Sequence, residues 1–178
     1  MAPGNTRSSA ARESGDRYSA YKTKPKPKSP AQPGVLPAQI KTDYGFDPIY
    51  AAGFSGKGQS IAIATYDGLK VSEITDDFKK VGIQTKRKVD VVSFSGDAAY
   101  DAGSAMETEL DAEFSGMIAP GADLHIFASA ENSDAGELAM FTAILDDNRA
   151  KIVNYSWGSC ETRLDPDHKT AMDTVFAQ

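Results

Sequence analysis

Residues 107–128 read Glu107-Thr-Glu-Leu-Asp-Ala-Glu-Phe-Ser-Gly-Met-Ile-Ala-Pro-Gly-Ala-Asp-Leu-His-Ile-Phe-Ala128. Leu110, Phe114, Met117 and Ile118 recur at helical spacing, which predicts an amphipathic helix with that stripe toward a core. Ala119-Pro120-Gly121-Ala122 follows, and Leu124-His-Ile-Phe-Ala128 is a short apolar run that predicts a buried strand. A helix leading through a turn into a buried strand is a repeating unit of parallel α/β sheets.

The same alternation continues outward. Gly56-Lys57-Gly58 is a turn, and Ser60-Ile-Ala-Ile-Ala-Thr65 reads as a buried strand. Val71, Ile74 and Phe78 have helical spacing, with Gly82 as the stop. Val89-Asp-Val-Val-Ser-Phe94 reads as another strand, and residues 95–104 as a Gly/Asp/Ser/Ala loop. Leu138, Phe141, Ile144 and Leu145 mark a further helix. Ile152-Val-Asn-Tyr-Ser156 is a strand running into Trp157-Gly158-Ser159. Residues 166–178 begin one more helix, inside which the chain is expected to stop. The expected fold class is α/β, a mostly parallel sheet with helices on both faces. Functional residues in such sheets gather at the carboxyl ends of the strands.

The chain divides near Leu36. Residues 1–34 hold seven Lys/Arg against Glu13 and Asp16, a net charge of +5. They include the basic proline run Lys22-Thr-Lys-Pro-Lys-Pro-Lys-Ser-Pro30. Such a segment cannot bury enough apolar surface to order itself, so it is expected to be a disordered linker or a propeptide remnant. Residues 35–178 carry 12 Lys/Arg against 23 Asp/Glu, a net of −11, which argues against nucleic acid as a partner. Cys160 is the single cysteine, so no intrachain disulfide forms, and an incidental thiol is expected. His125 and His168, the two histidines, lie in sequence settings that suggest no special role. No apolar run reaches the length of a membrane span, and the amino terminus lacks the apolar core of a signal peptide.

Glu107 and Asp111 are four residues apart, so on a helix their carboxyl groups are neighbours. Two carboxyls that share a proton can do acid-base work. The competing reading is a solvated acidic helix start that also includes Glu109 and Glu113, favoured there by the helix dipole. Spacing alone favours that second reading.

Taken together, these residues resemble one family. Glu107-x-x-x-Asp111, the apolar residues after it and Ala119-Pro-Gly-Ala122 resemble the catalytic helix of the sedolisins, the serine-carboxyl peptidases. Asn154-Tyr-Ser-Trp157-Gly158 is similar to the family's Ser-x-Ser-Trp-Gly segment. Leu36-Pro-Ala-Gln-Ile40 and Gly53-Phe-Ser-Gly-Lys-Gly-Gln-Ser-Ile-Ala-Ile63 are similar to the start of its catalytic domain. The resemblance runs from about residue 36 to the end of the chain. It implies a subtilisin-like three-layer α/β/α fold with a mostly parallel sheet, truncated here to its amino-terminal part. It also implies acid endopeptidase chemistry. Glu107 would be the general base for a serine nucleophile, and Asp111 its hydrogen-bonded partner. Ser156, Trp157 and Gly158 would line the substrate cleft. A carboxylate base suits low pH, where a histidine is already protonated. For Trp157 a core or cleft-wall aromatic is an equal alternative.

The sequence also departs from the family pattern. It contains no Gly-Thr-Ser nucleophile motif, and it ends at Gln178 before the expected oxyanion Asp and the family's calcium site. Thr65 stands where some members carry an additional Glu at the end of the first strand. The resemblance therefore implies calcium only in the missing carboxyl-terminal part, a protein or peptide substrate, and a complementary carboxyl-terminal chain carrying the Ser. It implies secretion or an extracellular location. The chain alone is expected to be inactive, and aggregation-prone through an unpaired sheet edge. The rival reading is a non-catalytic α/β peptide-binding module, a degenerate peptidase relative that holds extended peptides by backbone pairing. A nucleotide-binding fold ranks low, because no Gly-x-Gly-x-x-Gly follows the first strand.

Overall fold

Ser60–Thr65 forms β1, the strand around which everything else is arranged. The structure, a computed structural model, describes residues 36–83, 87–94, 96–98 and 105–178. The basic segment 1–34 and most of the 95–104 loop lie outside the described residues. β1 pairs in parallel with β3 (Asp123–Ala128), in register from Ser60 opposite Asp123 to Thr65 opposite Ala128. Its other edge takes β4 (Ile152–Tyr155), with Ile61 opposite Ile152 and Ala64 opposite Tyr155. β2 (Val89–Val91) adds to the far side of β3, giving the parallel order β2-β3-β1-β4.

The strand period of two sorts these side chains onto two faces. On one face Ile61, Ile63, Leu124 and Ile126 pack against Ile74 and Phe78 of α3 (Val71–Lys80) and Ala112 and Met117 of α4 (Met106–Ile118). On the other, Ala62, Ala64 and Phe127 pack against Met140, Phe141 and Ile144 of α5 (Asp134–Asp147) and Met172 and Val175 of α6 (Pro166–Phe176). The result is the expected three-layer α/β/α arrangement, with a four-stranded sheet among the described residues.

The structure corrects or adds to the sequence expectations at four points. β2 stops at Val91 rather than Phe94: the Val92 amide still donates to the Ile126 carbonyl, but the chain then leaves the ladder, and Phe94 packs on the α5–α6 cluster instead. Two short helices, α1 (Pro37–Asp43) and α2 (Asp47–Ala51), precede the sheet. Neither buries a residue, so neither leaves an apolar stripe to read; proline in the first turn of each supplies the helical φ. The Tyr50 hydroxyl donates to the carbonyl of Ile118 and ties α2 to the end of α4. The helix at 166–178 completes at Phe176, and Ala177 closes it through its backbone amide.

The fourth correction concerns α4. Leu110 is 48% exposed rather than core-facing. The residues α4 buries are Thr108, Asp111, Ala112, Gly116 and Met117. Small side chains let the helix lie close against β1, β3 and α3, so bulk is expelled to the outer face. Gly121 shows the same crowding in the following turn. Its amide donates to the Ser55 carbonyl at 2.7 Å, and a Cβ there would sit 2.7 Å from Ser55 Oγ and 2.8 Å from the Lys57 amide nitrogen. The Ala-Pro-Gly-Ala turn is thus seated on the Gly56–Gly58 turn that leads into β1.

Candidate functional site

The rotation of α4 turns Asp111 inward. Asp111 is only 8% exposed, whereas Glu107, one turn earlier, is half-buried. Ser156, the residue after β4, donates its hydroxyl to Asp111 Oδ1 at 2.8 Å. Asp111 Oδ2 is buried and takes no hydrogen bond among the described residues. Asp111 therefore engages Ser156, not Glu107; the two carboxyls interact through charge. Burial, and then the negative charge of Asp111, push the Glu107 carboxyl above its ordinary value. A carboxyl so raised accepts a proton more readily than an ordinary glutamate. Asp111, being buried, is not part of a solvated helix start, whereas Glu107 remains partly open to solvent.

The amino half of α4 is fastened to the carboxyl end of β1. The Thr108 hydroxyl lies 2.7 Å from the Thr65 hydroxyl and donates to the Asp67 carbonyl at 2.8 Å. Both threonines are fully buried. Thr65 thus serves as a strut between strand and helix. Both carboxyls sit where the carboxyl ends of β1 and β4 meet the start of α4.

Beyond Ser156 the chain continues as an exposed loop. Trp157 stacks edge-on against Tyr66 at 5.2 Å between ring centroids and packs on the α5–α6 cluster. Gly158 and Ser159 line a cavity of about 350 Å³ that also takes in Tyr66, the amino end of α5 and one side of α6 along its length. Ser156, Trp157 and Gly158 therefore face three different surroundings: α4, the aromatic cluster and the cavity. Cys160 is exposed.

Both histidines occupy less ordinary places than their sequence settings suggest. His125, on β3, is 2% exposed, and its Nδ1 is hydrogen-bonded to Asp90, which Lys88 and Arg149 also pair. His168, on α6, is 8% exposed, and its Nε2 lies 2.8 Å from Glu137 Oε2. The partners are 35 and 31 residues away in sequence, so no local pattern announces them.

The chain is 32% identical over 157 residues to kumamolisin of Bacillus sp. (strain MN-32), an alignment covering 83% of this chain and 27% of that protein. Its structure matches that of Pseudomonas sedolisin, a serine-carboxyl proteinase solved with two molecules of pseudo-iodotyrostatin. The TM-score is 0.65 at 24% identity, over 84% of this chain and 42% of the other. The second likeness shows the fold. The chain spans about a quarter of the length of the curated relative it matches. No family model matches it.

Proposed function

The chain is a relative of the sedolisin family, the serine-carboxyl peptidases, and from that premise we propose that it supplies the amino-terminal, base-bearing part of an acid-acting endopeptidase. The observation that supports this reading most is the buried Asp111 carboxylate behind Glu107, held by Ser156 at the carboxyl end of the sheet. Glu107 is the general base that takes the proton from the attacking serine, and its raised proton affinity suits that work in acid. Asp111 is its electrostatic partner. Its nearby charge raises the proton affinity of Glu107, and the Ser156 hydroxyl fixes its position. Gly158 and its neighbours form a wall of the cleft that receives the peptide.

The serine nucleophile and the oxyanion-stabilising Asp have no counterpart in this sequence, so a complementary carboxyl-terminal part carries them. Without the serine, Glu107 has nothing to activate. Calcium belongs to that missing part as well. The mixed imidazole-carboxylate cluster on α5 and α6 is not the all-oxygen cage that calcium takes. No helix among the described residues is long and apolar enough to cross a membrane, and we place the protein outside the cell on the strength of the family likeness.

A peptide-binding module is the second reading, favoured by the open edge of β4, where Ile152 and Val153 are exposed. One experiment separates the two. The 178-residue chain alone should not turn over an unstructured peptide near pH 4, about the ordinary carboxyl pKa. Combined with the part carrying the Gly-Thr-Ser serine it should do so, and Glu107→Gln should abolish turnover with the fold intact. Turnover by the lone chain, or survival of activity in Glu107→Gln, sinks the assignment. Saturable binding without any turnover in the combined protein supports the binding module.

A further inference from the structure

On the side of β4 away from Asp111, three potential metal ligands converge at the wall of the cavity. Asp134 and Glu137 are three residues apart on the first turns of α5, so they share one face. His168 reaches toward them from the first turn of α6. One ligand atom from each lies within 4.8 Å of the other two. His168 Nε2 is 2.8 Å from Glu137 Oε2 and 3.8 Å from Asp134 Oδ1. All three residues line the cavity of about 350 Å³ beside Gly158 and Ser159.

The cluster is also positioned from behind. The Tyr155 hydroxyl, on β4, donates to Glu137 Oε1 at 2.8 Å, which leaves Oε2 facing the imidazole. A donor that fixes the free oxygen of a ligating carboxylate is the usual outer partner of a metal ligand. Ser133 caps α5 through the Gly136 amide and so fixes the turn that carries Asp134 and Glu137. The imidazole is nine-tenths buried, with a side-chain exposure of 6%, and needs no large movement to present Nε2 to an ion.

We propose that Asp134, Glu137 and His168 form a binding site for a divalent transition-metal ion of the zinc class. One nitrogen and two carboxylate oxygens match the ligand preference of zinc better than that of calcium or magnesium, which favour oxygen throughout. Three protein ligands leave a position open toward the cavity for water or a substrate group. The ion clamps the amino ends of α5 and α6 together beside the end of β4. Tyr155 and Ser156 are consecutive, so their side chains point to opposite sides of β4. One orients the metal cluster and the other orients Asp111. The site is separate from the Glu107–Asp111 pair and does not depend on the peptidase reading.

The test is calorimetric titration of the metal-stripped 178-residue chain with zinc chloride at neutral pH. One equivalent should bind, and affinity should fall in acid, where protons compete with the metal for the ligand atoms. Glu137→Gln retains an acceptor for Tyr155 and removes the charge; it and His168→Ala should each weaken binding by at least about 10-fold. Tyr155→Phe, which only positions Glu137, should weaken it by about 10-fold. Cys160→Ser and a substitution at His125 should leave binding unchanged. If His168→Ala fails to fold by circular dichroism, Glu137→Gln and Asp134→Asn decide. No saturable zinc binding, binding indifferent to Glu137→Gln, or binding lost in Cys160→Ser each overturns the site; the three side chains are then an ion pair network only.

Discussion

Asp111 is a carboxylate buried against one hydroxyl, and the protein tolerates it because Ser156 meets Oδ1 at 2.8 Å. Removing that donor strands a buried acceptor, which costs about 1–3 kcal/mol. Ser156→Ala should therefore lower the denaturant midpoint by a corresponding amount, and Asp111→Asn, which still accepts from Ser156, should cost less. An unchanged midpoint in Ser156→Ala would show that the contact contributes nothing. Gly121 is the second residue where one atom matters. A Cβ there meets the backbone of Lys57, which cannot swing aside as a side chain can. Gly121→Ala should destabilise by about 1–3 kcal/mol through overpacking, read as a drop in melting temperature.

Between α3 and α4 the relevant unit is a pair of helix faces. Glu73 and Asp77 lie four apart on α3, and Glu109 and Glu113 four apart on α4. Burial, and then the charge of Glu73, raise the Glu109 carboxyl. Burial, and then a hydrogen bond and repulsion from Asp77, push Glu113 up to about 7. Asp77 is held below its usual value by Lys80 first and by Glu113 second. A carboxyl whose pKa rises on folding binds more protons folded than unfolded, so stability is greater in acid. It should decline as pH climbs from 4.5 to about 7. Thermal melts across that window should show the decline, and Glu113→Gln should flatten it; an unaltered slope in Glu113→Gln would locate the effect elsewhere. Asp90 works with the opposite sign. Burial resists its ionisation, but hydrogen bonds from His125, Lys88 and Arg149 outweigh burial and hold it below the usual range. Its contribution is present above the ordinary carboxylate pKa and is lost as pH falls through the depressed value. The helix pair thus favours acid, and the β2–β3 cluster sets the lower limit.

For the molecule as a whole, the consequential feature is the edge. β1 is covered on both sides and both faces, but among the described residues β4 has a neighbour on one side alone, with Ile152 and Val153 exposed at 49% and 42%. An open parallel edge with apolar side chains invites pairing with another chain. The 178-residue chain on its own should self-associate in sedimentation velocity, and Val153→Lys should reduce the association without changing the circular dichroism spectrum. A cooperative melt of a stable monomer would contradict this. In the proposed enzyme, the carboxyl-terminal part covers that edge as well as bringing the serine.

The strands at 60–65 and 124–128 were legible from the sequence because a buried strand is a continuous apolar run, the edge strand at 152–155 from its short apolar start, and the helices between them because an amphipathic helix repeats every 3.6 residues. The Glu107-x-x-x-Asp111 spacing and the Ala-Pro-Gly-Ala turn were equally local, and with Ser156-Trp-Gly they carried the family likeness. The rotation of α4 was not legible, since Leu110 looks like a core residue until the packing against α3 and the sheet turns Thr108, Asp111, Ala112, Gly116 and Met117 inward instead. α1 and α2 bury nothing and so wrote no pattern. Which hydroxyl meets Asp111, which carboxylates meet His125 and His168, and which acids face each other across α3 and α4 depend on chain segments tens of residues apart. Periodicity fixes how each segment folds; only the packing of segments against one another decides which polar groups become neighbours, and the chemistry of this protein rests on those pairs.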